Sequence, residues 1–136
     1  MSVEENKELV RRFYREVINE RKVDAIDDLL TEDFVHNGEG RGREGQKPAV
    51  KMFLAGFSDL HDEVELILAE GDLVAAHQTW TGTHDGEFLG VPATGVKVSF
   101  ESTAVLRIAD GLIAQAWDIV DIAGLFSQIG SPPAQS

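Results

Sequence analysis

The sequence predicts an α+β fold in which a curved, mostly antiparallel sheet wraps as a cone around three N-terminal helices. Helical apolar periodicity is confined to the residues before Leu60, strand-like alternation takes over after it, and neither a repeat nor a linker divides the chain. Its 136 residues are 43% hydrophobic and 26% charged, enough for one core without disulfides or a structural metal. Strands of ten or more residues twist and coil. Three helices leave such a curved sheet incompletely filled, so a pocket between helices and sheet is expected.

In order along the chain, Ser2 and Glu5 form a capping-box pair. Leu9, Phe13 and Val17, flanked by Val10, Tyr14 and Ile18, continue a helix from about residue 4 to 19. A short helix fits residues 23–30, on Val23, Ile26, Leu29 and Leu30, and residues 31–37 lead out of it. Residues 38–45 read as a glycine-rich loop, and Pro48 suits the first turn of a third helix carrying Val50, Phe53, Leu54 and Phe57. Strands are expected over residues 63–69, 73–83, 96–108 and 112–120, with a short edge strand at 87–91. Asp110-Gly111 is a strong hairpin signal between the last two long strands. Residues 1–130 are expected to form the single domain and residues 131–136, with Pro132 and Pro133, a loose tail.

The net charge of −12 disfavours nucleic acid and anionic membranes as partners. The locally basic Arg41, Arg43, Lys47 and Lys51 are interrupted by Glu44 and form no stripe. Without cysteine there is no thiolate nucleophile or cysteine-held metal. No apolar run approaches the roughly 20 residues of a membrane helix, and the polar N-terminus points to a cytoplasmic protein. His36, His61, His77 and His84 lack zinc-ligand spacing, so neither metal nor cofactor is expected. Residues 38–45 lack the Lys-Ser/Thr pair of a phosphate loop, and Ser99 and Ser102 lack a nucleophile elbow.

Asp118 is the first candidate for chemistry. On strand 112–120 it shares a face with Ala114, Ala116 and Val120, while Ile113, Gln115, Trp117 and Ile119 share the other. If the alanine side is the pocket, Asp118 faces the ligand and burial raises its pKa, making a better base; the alternative is a carboxylate at the solvent edge. Asp121 faces away unless a turn near Val120 brings it round. His36 either crosses the mouth of the cone, to polarise a carbonyl or relay a proton, or lies on the surface beside Asn37. Tyr14, Phe34, Phe53, Phe57, Trp80 and Phe100 are aromatic candidates for the pocket wall or for plain core. Gln78 and Ala76 share the strand face of Trp80.

The stretch Gly82-Thr83-His84-Asp85-Gly86-Glu87-Phe88-Leu89-Gly90-Val91-Pro92-Ala93-Thr94-Gly95 resembles the central signature of SnoaL-like polyketide cyclases. So do Leu106 to Ile113 around the Asp-Gly hairpin, Trp117-Asp118, and Gly124 to Gly130. The resemblance spans about residues 5–130 and implies the nuclear-transport-factor-2-like, cystatin-like cone. It further implies a cofactor-free intramolecular aldol condensation with Asp118 as base, and turns Asp118 inward with Ala116, Ala104, Ser102 and Phe100. His36 falls where those cyclases carry an asparagine. Ser102 and Ala104 replace a glutamine and a histidine, so one oxyanion donor is missing, a loss of about 3 kcal/mol in such sites, and the substrate is expected to differ from an anthracycline's tetracyclic precursor.

The expected function is therefore acid–base cyclisation or isomerisation of a hydrophobic carbonyl compound. Asp118 is the base, and His36, with Ser102 or Gln78, stabilises the oxygen. Water addition to an epoxide or alkene, and ligand binding without turnover, are the alternatives. A homodimer is expected through the outer sheet face, where Val105, Ile113, Trp117 and Ile119 mix with Ser99, Glu101, Thr103 and Arg107.

Overall fold

The computed structural model describes residues 2–130; the expected tail at 131–136 lies outside them. Helix α1 (Val3–Phe13) begins at the expected capping box: the Ser2 hydroxyl accepts from the Glu5 N–H at 3.1 Å, and Glu5 accepts from the Ser2 N–H at 3.0 Å. From Tyr14 to Asn19 the same rod widens into π-helix. A single 3-10 turn (Val23–Ala25) runs into the short α2 (Ile26–Leu29).

The segment leaving α2 is not the irregular exit expected. Leu30–His36 is a strand, β1, paired parallel to β5 (Leu112–Val120) with His36 opposite Ala116. Its local sequence carries two acidic residues, Glu32 and Asp33, and only two buried ones, Leu30 and Phe34. The ladder with a strand far along the chain makes it a strand, and no local pattern reports such a pairing.

Helix α3 (Gly42–Gly56) starts inside the glycine-rich stretch expected to be loop, so Pro48 falls in its second turn rather than its first. Lys47 reaches Asp27 at 2.8 Å and Arg41 reaches Gln46 at 3.0 Å. The first contact ties the early turns to α2 and the second braces the helix start, which propensity alone would not do.

Strands β2 (His61–Glu70), β3 (Leu73–Thr83), β4 (Lys97–Ala109) and β5 lie close to the expected segments. They form one sheet in the order β1-β5-β4-β3-β2, antiparallel except for β1 with β5. Asp110 and Gly111 both take positive φ, 51° and 76°, as the tight β4–β5 hairpin requires. The expected edge strand at 87–91 is instead a turn: Phe88 and Val91 bridge, and Leu89 and Gly90 between them have φ of 46° and 85°. Helix α4 (Ile122–Ile129) closes the described chain and packs against β4.

Alternation holds along β3 and β4. Val74, Ala76 and Gln78 are buried on β3, and Val98, Phe100, Ser102, Ala104, Leu106 and Ile108 on β4, while their neighbours face out. On β5 the expected alternation breaks. Ile108 pairs with Ile113 but Arg107 with Gln115, so Ala114 is an extra, bulged residue. The bulge turns Ile113 inward, 1% exposed, against the expectation that it lies on the outer face.

Candidate active site

Between the concave face of the sheet and helices α1 and α3 lies a cavity of about 390 Å³. Its wall is mainly aromatic and aliphatic. Trp80 stacks on Phe100 (ring centroids 6.0 Å apart, planes within 6°), and Tyr14 meets Trp80 edge-on. Phe34, Phe53, Ala104 and Ala116 also line it, as do Gln78 and Ser102. Phe57 does not. It is fully buried behind the cavity against His84, Phe88 and Phe100, because its place at the end of α3 points it into the sheet core.

The polar group of the cavity is assembled across the β1–β5 ladder. Asp118, paired with Ala104 on β4, turns its carboxylate inward. His36, at the end of β1, places Nε2 at 2.8 Å from Asp118 Oδ1. Asn37, one residue beyond, donates from Nδ2 to the same Oδ1 (3.1 Å) and to the Asp118 carbonyl (3.2 Å), and accepts from the Asp118 N–H at 2.8 Å. Asn37 can turn back in this way because it adopts φ 48°, a region asparagine enters more readily than most residues. Among the described residues Asp118 Oδ2 receives no hydrogen bond, and the buried His36 Nδ1 has no partner either.

These donors reverse the pKa shift expected for Asp118. Burial does act to raise it, as anticipated. The His36 hydrogen bond and charge, the Asn37 hydrogen bond and the more distant Arg41 guanidinium outweigh burial and hold the carboxyl below its ordinary value. Asp118 is therefore ionised at neutral pH and is a weaker base than burial alone would have made it. Asn37, Arg41 and Gln46 all line the cavity and are not identifiable as site residues from the sequence. Asn37 carries no periodic signal and only the parallel pairing brings it to Asp118, whereas Arg41 and Gln46 reach the cavity from the start of α3, in or beside a glycine-rich segment that reads as loop.

Other candidates take structural roles. Asp121 caps α4, its carboxylate accepting from the Gly124 N–H at 2.9 Å. His84 is fully buried and bonds Thr94 through Nδ1 at 2.9 Å, while Asp85 holds the backbone and hydroxyl of Ser58. On the outer face, Glu65, His77 and Glu101 bring potential metal-ligand atoms within 4.8 Å of one another. His77 there also bonds Thr103 (2.8 Å) and Glu101 (3.1 Å), and the group is outside the cavity.

The chain that builds this apolar cavity and its carboxylate has recognisable relatives. The family model for SnoaL-like polyketide cyclases matches residues 8–129. The chain is 33% identical over 132 residues to the aklanonic acid methyl ester cyclase DauD of Streptomyces sp. (strain C5), covering 92% of this chain and 81% of that one. It is 28% identical over 120 residues to the nogalonic acid methyl ester cyclase of Streptomyces nogalater, covering 84% and 90%. Among solved structures, TsrD from Streptomyces laurentii superposes with a TM-score of 0.87 at 30% identity, over 96% of this chain and 98% of that one. With the family model spanning almost every described element, from α1 to α4, this chain belongs to the SnoaL-like polyketide cyclase family.

Proposed function

We propose that the protein is an acid–base cyclase or isomerase of a hydrophobic carbonyl compound, with Asp118 as the base. The observation that carries this reading is the division of labour on one carboxylate. Oδ1 is held by His36 and Asn37, while Oδ2 is unbonded among the described residues and so is free to accept a proton from a ligand in the cavity that Asp118 lines. In the proposed cycle Oδ2 removes a proton from the carbon beside a ligand carbonyl, and the electron pair moves onto that oxygen. With the imidazole doubly protonated, His36 keeps Nε2–H on Asp118 and offers Nδ1–H, which has no acceptor among the described residues, to the enolate oxygen. In cyclisation the enolate carbon attacks a second carbonyl, and the resulting alkoxide takes the proton back from Asp118. Return of the proton to a different carbon gives isomerisation. Both steps conserve atoms and electrons, and neither needs a cofactor.

The compound named for DauD, aklanonic acid methyl ester, supplies a probe. Deuterium from solvent is expected to enter its activated methylene in the presence of the protein, with the rate falling at least about hundredfold in Asp118→Asn. Equal rates for the two proteins would overturn the assignment. Ala104 offers no side-chain donor opposite Asp118, which supports ligand binding without turnover as a second reading. Tight binding without exchange in the unsubstituted protein would decide for it. Water addition has weaker support: Arg41 lines the cavity, but Asp118 is the only aspartate that does so among the described residues.

The same proposal includes a homodimer through the outer sheet face, where Leu66, Leu68 and Ile119 are 65–80% exposed and Trp117 carries the Arg107 guanidinium 5.2 Å from its ring centre. Light scattering at micromolar concentration is expected to report twice the 14.9 kDa chain mass; the single-chain mass overturns the dimer.

A further inference from the structure

The cavity has a second polar group, on the strands away from Asp118. Gln78 on β3 lies directly opposite Ser102 on β4, and both side chains are buried. The Trp80 indole N–H, which can only donate, bonds the Ser102 hydroxyl oxygen at 2.8 Å. The hydroxyl's own proton then has the Gln78 carbonyl oxygen as its acceptor, 3.4 Å away. This relay fixes which way the amide faces. Its oxygen is taken by Ser102, and its buried Nε2 has no bonded acceptor among the described residues, while Gln78 is one of the residues that line the cavity. The Tyr14 hydroxyl is the protein group nearest to serving as acceptor: the Gln78 amide acts on it as a hydrogen-bond neighbour and lowers its pKa against burial, yet Nε2 meets no acceptor at full bonding geometry among the described residues. A buried donor left unpaired is costly, and a fully buried glutamine amide at the wall of an apolar hollow suits an oxygen brought by the ligand.

We infer that the Gln78 amide is a hydrogen-bond donor to a second ligand oxygen, remote from the one activated beside Asp118, with Ser102 and Trp80 as positioning residues. Asp118 pairs with Ala104, Ala104 with Ala76, and Gln78 is two residues further along β3. Strand spacing and rise put the Asp118 and Gln78 Cα atoms roughly 12 Å apart, so the two groups serve different ends of one ligand. Gln78 is fully buried, whereas the Asp118 side chain is 29% exposed, so one end is closed and the other open. The ligand class that fits is a flat, largely apolar compound with two separated acceptor oxygens, the inner one a carbonyl or a ring ether. This deepens the proposed function and rests on its reading of the cavity as a small-molecule site, but not on Asp118 being a base.

The test uses 9-fluorenone and fluorene, which share a tricyclic frame and differ in one carbonyl. The unsubstituted protein is expected to bind 9-fluorenone at least about fivefold more tightly, and the infrared C=O stretch of the bound ketone is expected to move to lower frequency. Gln78→Met keeps size and removes the donor. It should abolish both the preference and the shift, as should Gln78→Leu, while Asp118→Asn and His36→Phe leave both in place. Ser102→Ala, which frees the amide to rotate, should broaden the C=O band. Retention of preference and shift in Gln78→Met, or their loss in His36→Phe alone, would overturn the inference. Loss of deuterium exchange in Asp118→Asn with the ketone shift intact separates the anchoring role from the catalytic one.

Discussion

Two aspartates turn inward from the same sheet, and their surroundings send their acidities in opposite directions. Asp118, on β5, is surrounded by donors: His36 and Asn37 bond its carboxylate, and its pKa is held down despite burial. Asp62, on β2 beside Trp80, is 2% exposed, and neither carboxylate oxygen has a partner among the described residues. Asn19 clamps its backbone on both sides, at 2.7 and 3.0 Å, but among the described residues no donor reaches the side chain. Burial, with a smaller contribution from the Glu63 charge, pushes Asp62 up to about 8. Removal from water is common to both; the donors supplied from across the fold decide which one carries charge at neutral pH.

The largest expected effect concerns Asp62. Its pKa is higher in the folded chain than the ordinary value of 3.8. The folded state therefore keeps a proton that the unfolded chain releases, and stability falls as pH rises from 3.8 to about 8. The full span corresponds to a penalty on the order of 5 kcal/mol above the upper limit. Asp62→Asn keeps the shape and cannot ionise. Urea unfolding at about pH 5 and about pH 9 should show the native protein losing several kcal/mol between them and the variant losing almost none. Equal slopes would mean that Asp62 finds a donor in solution and that the contrast with Asp118 is false.

A smaller effect should come from stripping one donor from Asp118. Asn37→Gly removes the side chain while suiting the positive φ at this position. The Asp118 pKa, followed by carboxyl carbon shifts, should rise toward its ordinary value, with a stability loss of about 1 kcal/mol near neutral pH. Linkage gives the sign. A depressed carboxyl stabilises the fold above its unfolded pKa, and that contribution disappears as pH falls through the folded value. An unchanged pKa in the variant would assign the depression to His36 and Arg41 without Asn37.

Much of this arrangement is legible in the chain, and the failures have local causes. The long strands after Leu60, the Asp-Gly hairpin and the Ser2–Glu5 cap follow from alternation and turn chemistry, which act between near neighbours. The place of Asp118 on β5 singles it out, but its lowered pKa is not readable there, since the donors lie about 81 positions earlier. Phe57 reads as one more apolar residue of α3, and nothing nearby distinguishes core behind the cavity from its wall.

By itself the sequence determined a helical half, a sheet half and which residues share a face along β3 and β4, because side-chain periodicity is a property of a single strand or helix. The tertiary structure decided the rest. A parallel ladder made a strand of residues 30–36 and delivered His36 and Asn37 to Asp118. A bulge at Ala114 chose the face of Ile113. A relay across two strands left the Gln78 Nε2 buried at the cavity wall without a bonded acceptor among the described residues. Each depends on which strands meet and in what register, a free-energy choice made by the whole sheet and invisible to any short window of residues.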